Sequence, residues 1–406
     1  MSGTLVIGAG HAGVQLAVAL REGGDTAPVT LVGGEPHPPY QRPPLSKGYL
    51  AGAVDADRLA LRAPSFYADR DIDLVTGERV TDLADGRAVT DRGREIPFGR
   101  LALAVGTGVR RLDVPGSDLD GVHHLRDRAD ADRLRAGLGS AHRIVVVGGG
   151  FIGLEVAAHC AAQGRSVTVV EAADRLMGRA VAPAVSTFYR DTHERRGVRV
   201  VLGGTVAALG GEHARVRAVV LGDGRELPAD LVLVGIGCDP RTGIAERLGL
   251  DCPGGIPVDR AARTALPGVV AAGDCTLQPH PTVPGAGPVR VESVQNAVHQ
   301  AKVAAATLTG GTPPPHETPW FWSDQHDLKL QIAGLAHEAD EVVVRGDPAT
   351  ERFAALHYRA GRLQAVDAVN SPADFLVVRR ALTRGIALPA EVARRSDRPL
   401  KELVGT

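Results

Sequence analysis

Two short stretches of this sequence put glycine where phosphate chemistry needs it: Gly8-Ala9-Gly10-His11-Ala12-Gly13 and Gly148-Gly149-Gly150-Phe151-Ile152-Gly153. Both match G-x-G-x-x-G. In that pattern the first glycine permits a sharp turn, the second lets the backbone approach a pyrophosphate, and the third lets a helix lie close to the preceding strand. The helix then offers free N–H groups and its positive dipole end to the phosphates. One such match is weak on its own, and a glycine-rich structural turn is the competing reading. Here an apolar strand precedes and a helical pattern follows in both copies, so both are expected to bind a dinucleotide.

Acids sharpen the expectation. Glu171 ends the strand after the second turn, about 20 residues on, where a carboxylate bonds ribose hydroxyls. A carboxylate there repels a 2′-phosphate, and no arginine follows at once, so NADH is expected over NADPH. In the first copy Gly33-Gly34 precedes Glu35, and Glu35 is the corresponding candidate, displaced by one position from Gly34. The alternative for Glu35 is a solvated loop glutamate.

The elements that must position these residues repeat. Thr4-Leu5-Val6-Ile7 reads as a buried parallel strand. Residues from about Ala12 to Arg21 carry helical spacing, and Val29-Thr30-Leu31-Val32 is the next strand. The later copy runs Arg143 to Val147, turn, Leu154 to Ala162, then Ser166 to Val170. Two copies of one supersecondary unit, about 140 residues apart, imply two similar domains, and hence FAD together with NAD(P). Further strands are expected at Leu101–Val105, at Leu231–Val234 before Gly235-Ile236-Gly237, and at Val269–Ala272 before Gly273-Asp274. Gly310 to Pro315 reads as a linker, and Glu341 to Arg345 as a strand of a tail domain. The expected fold class is α/β: two Rossmann-like dinucleotide-binding domains plus a C-terminal α+β domain. The expected boundaries are 1–108 with 233–312 for FAD, 109–232 for NAD, and 313–406 for the tail.

Composition narrows the classes. The 406 residues have 44% hydrophobic and 23% charged side chains, and a formal net charge of -1. That is ordinary globular composition, and the bulk charge argues against a nucleic-acid binder. No basic n-region with a cleavage site opens the chain, and no run of about 18 apolar residues suits a membrane span. A cytoplasmic location with no membrane association is the expectation. The cysteines, Cys160, Cys238, Cys252 and Cys275, form no C-x-x-C pair and fit no metal site.

In combination, Gly8 to Gly13, Arg42-Pro43-Pro44-Leu45-Ser46-Lys47, Ala104-Val105-Gly106-Thr107, Gly148 to Glu155, Ala272-Gly273-Asp274, Val291-Glu292-Ser293-Val294 and Trp320-Phe321-Trp322-Ser323-Asp324-Gln325 resemble the FAD-dependent pyridine-nucleotide reductases. The chain is most similar to the ferredoxin reductases that feed bacterial haem monooxygenases and ring dioxygenases, the putidaredoxin and rhodocoxin reductase type. The resemblance runs from Leu5 to about Asn370. It implies that the FAD unit comes first, with the NADH unit inserted in it. It gives Gly8, Gly10, Ala12 and Gly13 to the FAD pyrophosphate, Arg42 and Lys47 to the flavin side, Val80 to the adenine end, and Arg126 to a further FAD contact. It gives Asp274 to the ribityl chain and Val294 to the isoalloxazine ring. It also adds Ala104, Gly106, Gly237, Gly273 and Glu292 to the cofactor contacts, and Gly148, Gly150, Ile152 and Gly153 to NADH.

The resemblance further pairs Lys47 with Glu155 beside the nicotinamide. A lysine there supports reduced flavin, and a glutamate keeps it positioned. Trp322 matches an aromatic that caps the flavin. The alternatives are a surface lysine in a Pro-rich loop, a glutamate facing its own strand unit, and a core tryptophan; for Trp320 the core reading is preferred.

Disulfide reductases need a cysteine pair near the flavin, and related branches need one cysteine near the Pro-rich loop. This chain has none before Cys160. Electrons are therefore expected to leave the flavin directly, one at a time, and a small [2Fe–2S] ferredoxin fits that demand. Such ferredoxins are usually acidic, so a basic face is expected, with Lys302, Arg379, Arg380 and Arg384 as candidates and solvated surface charge as their alternative. The expected activity is that of an NADH-dependent ferredoxin reductase. The competing activities are an NADH oxidase or monodehydroascorbate-type reductase with a small acceptor, and a non-catalytic NADH-sensing flavoprotein.

Overall fold

A computed structural model describes residues 3–283, 285–336 and 338–405. The chain divides into two compact units. One takes Met1–Gln41, Ala56–Gly108 and Asp239–Pro319; the other takes Arg42–Asp55, Val109–Cys238 and Trp320–Thr406.

In the first unit five parallel strands make one sheet, in the order Val269–Ala271, Arg100–Leu103, Thr4–Ile7, Val29–Gly33, Ile72–Thr76. The central strand is buried along its whole length, as its unbroken apolar run requires when both faces of a parallel sheet are covered. The helix His11–Glu22 covers one face and shares a core with the helix Val294–Thr309, to which Leu16, Leu20, Ala297, Ala301 and Ala304 contribute. On the opposite face, Leu5, Ile7, Leu101 and Leu103 pack on Leu83, Ala88 and Ile96 of a small antiparallel sheet, Val80–Ala84, Arg87–Thr90 and Glu95–Pro97.

The second unit repeats the plan. Its parallel sheet runs Val198–Leu202, Ser166–Glu171, Arg143–Val147, Leu231–Val234, Val122–His123. Leu231–Val234 pairs with Ile144–Val147 at all four positions, so the expected boundary between residues 232 and 233 divides a strand. An apolar run carries no mark of the sheet it joins, and the sheet of the second glycine turn extends to Val234. The helix after that turn begins at Phe151 rather than Leu154. The tail forms an antiparallel sheet, Trp320–Gln325, Leu328–Gly334, Arg362–Val369, Arg352–Arg359, Glu341–Asp347. The helix Pro372–Arg384 backs it with Phe375, Val378 and Ala381. The architecture is thus α/β with two Rossmann-like sheets and a C-terminal antiparallel sheet. No described helix is long and apolar enough to cross a membrane.

Candidate functional site

The two glycine turns are the same construction. Gly8 and Gly148 have φ of 109° and 108°, a region closed to ordinary L-residues. A Cβ on Gly8 would meet the Ala104 carbonyl oxygen at 2.1 Å, and one on Gly148 would meet that of Gly235 at 2.4 Å. A Cβ on Gly13 or Gly153 would strike the carbonyl oxygen of Gly8 or Gly148, at 1.8 and 2.5 Å. Gly10 and Gly150 differ: a Cβ there would meet nothing within 4 Å. Both are N-caps without a side-chain cap, so the first-turn N–H groups take no side-chain partner from the cap. These cradles fit a pyrophosphate. Gly106 and Gly237 answer each other too, with φ of 62° and 107°, and Ile152 is exposed on the second turn.

Sheet register corrects one expectation. Ile7 lies opposite Val32 and Val147 opposite Val170, so the counterpart of Glu171 is Gly33, and Glu35 is displaced by two positions rather than one. The reason is local. A Cβ on Gly33 would meet the Ala9 Cβ at 2.7 Å; in the second copy Gly149 replaces the alanine and leaves room for an acid. Glu171 Oε2 accepts from the Gly149 N–H at 2.6 Å, and Oε1 from the Ala173 N–H at 2.8 Å. Glu35 instead accepts from the Tyr40 hydroxyl at 2.5 Å. Arg175 lies four residues beyond Glu171, and its guanidinium donates to the carbonyls of Val181 and Gly178. It is turned into its own loop.

Gly273 (φ 87°) lies against the first turn, and a Cβ there would be 3.0 Å from the Ala12 Cβ. Its N–H donates to Gln300 Oε1 at 2.8 Å, and Gln300 Nε2 donates to Gln278 at 2.8 Å. Sequence reading missed these amides, which tie the strand end before the half-buried Asp274 to the helix Val294–Thr309. Val294 opens that helix, capped by Ser293 Oγ, which accepts from the Asn296 N–H at 3.1 Å. Glu292 pairs with Arg290 at 2.6 Å. Val80 begins the small antiparallel sheet and is partly buried against the core between that sheet and the parallel one.

In the second unit Lys47 and Glu155 meet. Lys47 Nζ lies 2.7 Å from Glu155 Oε2, with side-chain exposures of 21% and 3%. The Ser46 hydroxyl donates to Oε2 at 2.5 Å, and the Ser323 hydroxyl to Oε1 at 2.6 Å. A buried carboxylate persists only when partners replace its lost water, and this one has three. The turn Pro43–Ser46, anchored by buried Leu45, delivers Ser46 and Lys47. The helix after the second glycine turn delivers Glu155, and the strand Trp320–Gln325 delivers Ser323. Sequence reading found the ion pair and missed both serines, although both lie in motifs it singled out. Arg42 donates to the Arg126 carbonyl at 2.8 Å, and the Arg126 N–H is held by Asp130 at 2.9 Å. Trp322 is half-buried beside Trp320, ring centroids 5.5 Å apart; Trp320 also packs on Phe375, with Arg379 over its face at 5.2 Å.

None of the four cysteines is in a disulfide. Burial pushes the Cys160 thiol up to about 11 and Cys275 up to about 12, so neither offers a thiolate at neutral pH. No group of three or more His, Cys, Asp or Glu among the described residues is arranged for a metal. Lys302, Arg380 and Arg384 are exposed; the two arginines share a helix stripe with Leu376, which is 58% exposed.

Known proteins match this arrangement. A family model described as pyridine nucleotide-disulphide oxidoreductase matches residues 3–301, and one described as reductase C-terminal matches residues 320–404. A ferredoxin–NAD(P)(+) reductase of Sphingomonas sp is 42% identical over 385 residues, covering 93% of this chain and 91% of that protein. A ferredoxin reductase structure from Rhodopseudomonas palustris superposes with a TM-score of 0.95 at 41% identity, covering 99% of each chain. Putidaredoxin reductase in its covalent complex with putidaredoxin gives a TM-score of 0.95 at 36% identity, covering 99% of this chain and 98% of that one. With two dinucleotide turns of one construction and this breadth of likeness, the chain belongs to the pyridine nucleotide-disulphide oxidoreductase family and carries its reductase C-terminal domain.

Proposed function

We propose that this protein is an NADH-dependent, FAD-containing ferredoxin reductase that passes electrons singly to a [2Fe–2S] ferredoxin serving an oxygenase. The observation that carries the reading is the pair of matched glycine cradles, with an acid at the ribose position of the second. The relatives named as ferredoxin reductases, and the similar reductase solved joined to putidaredoxin, support the acceptor. We place the protein in the cytoplasm, where NADH is available and free thiols stay reduced.

FAD, when bound, supplies a two-electron acceptor that can release electrons one at a time. Gly8, Gly10, Ala12 and Gly13 hold its pyrophosphate at the end of their helix. Glu35 serves the adenosine ribose, Val80 the adenine, and Asp274 the ribityl chain. Ala104, Gly106, Gly273, Glu292 and Val294 line the flavin side, and the start of the helix at Val294 favours negative charge there. Arg42, Arg126 and Gly237 complete the cofactor contacts, and Trp322 excludes water on the partner side. Gly148, Gly150, Ile152 and Gly153 hold NADH. Glu171 bonds its ribose and disfavours a 2′-phosphate, and Arg175, engaged by its own loop, does not offset that preference. Lys47, oriented by Glu155, presents a fixed positive charge beside the reacting atoms. The exposed Arg380 and Arg384, with Lys302 and Arg379, attract an acidic partner.

The purified protein is expected to be yellow and to be bleached under anaerobic stopped flow, quickly by NADH and slowly by NADPH. Re-oxidation by a small [2Fe–2S] ferredoxin should outpace that by oxygen or quinone. A colourless protein, or one that neither nucleotide reduces, would refute the reading.

A further inference from the structure

Glu155 ends a chain of hydrogen bonds that runs away from it through the second unit. Ser323 Oγ lies 2.6 Å from Glu155 Oε1, and Gln325 Nε2 lies 3.2 Å from Ser323 Oγ. His193 Nε2 lies 2.9 Å from Gln325 Oε1, and His326 Nε2 lies 3.3 Å from His193 Nδ1. Ser323, Gln325 and His193 are fully buried, and His326 is half-buried. Alternation along the strand Trp320–Gln325 aims Ser323 and Gln325 at one side, where burial would ordinarily select apolar residues.

The direction of every bond follows from the first. An ionised carboxylate only accepts, so the Ser323 hydroxyl spends its one proton on Glu155. Its oxygen must then accept from Gln325, which turns the amide nitrogen toward Ser323 and the amide oxygen toward His193. The sulfur of Met177 lies 3.6 Å from the same nitrogen and can only accept. His193 must therefore carry its hydrogen on Nε2, and Nδ1 is left to accept from His326. Burial holds His193 below the usual histidine range, and burial, then His193 and Arg196, push His326 down to about 4. Both rings are neutral at pH 7, and all four bonds point toward Glu155. Bonds aligned head to tail polarise one another.

We infer that His193 is a positioning residue for the Lys47–Glu155 pair: held as its Nε2–H tautomer, it orients Gln325 and Ser323 so that Glu155 keeps its third donor and Lys47 one orientation. The inference rests on the role proposed above for that pair in the reaction with NADH. It also explains why the two buried residues of the Trp-Phe-Trp-Ser-Asp-Gln stretch are serine and glutamine.

Long-range nitrogen–proton correlation NMR on the FAD-loaded, histidine-labelled protein tests the chain. Wild type is expected to show His193 as the Nε2–H tautomer. In Glu155→Gln, Lys47 and Ser46 retain the amide oxygen, so the amide N–H turns to Ser323. Each bond then reverses, and His193 switches to Nδ1–H. Stopped-flow reduction of the bound FAD by NADH tests the role. His193→Phe fills the space without a donor and should slow reduction about tenfold, whereas His193→Gln supplies an N–H near Nε2 and should stay within about twofold of wild type. An Nδ1–H tautomer in wild type, an unchanged tautomer in Glu155→Gln, or equal rates in the two His193 variants would each overturn the inference. Wild type that NADH does not reduce would remove the reaction and the role together, while the tautomers would still report whether the chain exists. If His193→Phe fails to hold FAD, the Glu155→Gln tautomer and the His193→Gln rate decide.

Discussion

The Ser323 hydroxyl donates to the Glu155 carboxylate at 2.6 Å across 168 residues of chain. With Ser46 and Lys47 it makes three donors on one buried carboxylate. Lys47→Ala removes the only charged one. Stability should fall by about 3 kcal/mol in denaturant unfolding, because an unpaired buried charge is left behind. Reduction by NADH should slow by about two orders of magnitude through lost positioning. Full FAD content with an unchanged reduction rate would sink the role given to Lys47.

The glycines of each turn should separate by consequence. Gly10→Ala adds a methyl where no protein atom stands, so the chain should fold with a near-normal melting temperature yet purify without FAD. Gly150→Ala should retain FAD and lose NADH binding. Gly13→Ala drives a Cβ into the Gly8 carbonyl oxygen, and a loss of about 1–3 kcal/mol or more is expected from overpacking. Visible absorbance and calorimetry on the three variants check the set.

Glu171 accepts two backbone N–H groups at the second turn. Glu171→Ala removes a charged acceptor worth about 1.5–3 kcal/mol. The KM for NADH should rise about 10- to 100-fold, and the preference over NADPH should shrink. Steady-state kinetics with both nucleotides measure it; an unchanged ratio would contradict the assignment.

Arg380 and Arg384 share an exposed helix stripe. Reversing both to glutamate should lower the rate of ferredoxin reduction about tenfold at low salt, with the gap closing near 0.5 M salt as screening takes over. Reduction of the flavin by NADH should not change.

Asp230 supplies a pH test. Its carboxyl is held below the usual range by the Arg143 side chain first, against burial, and by the backbone N–H groups of Arg143 and His142. The folded value lies below the unfolded one near about 3.9, so the stabilisation is complete above that value and is lost as pH falls through the folded value. Arg143 is half exposed, so solvent screens the pair. Asp230→Asn should cost about 1 kcal/mol at pH 7, and the difference from wild type should shrink below pH 4 in urea titrations.

Much of this protein is local in the chain and therefore legible in its sequence. Apolar strands before glycine, and helical spacing after it, are contiguous signals, so both dinucleotide units and the acid at Glu171 can be read directly, whereas the order of the two cofactors came from family resemblance. The ion pair of Lys47 and Glu155 came from family resemblance rather than spacing, since 108 residues separate the two.

Only tertiary structure decided three things. Sheet register identified Gly33 as the counterpart of Glu171, because side-chain crowding against Ala9, not sequence offset, governs which residue fits there. Strand pairing carried the second sheet to Val234, since an apolar run names no partner. The donors that hold Glu155, and the path through Gln325 to His193, come from three separate segments. A buried polar atom takes whichever partner folding brings within reach, and that choice is written in distances the sequence does not contain.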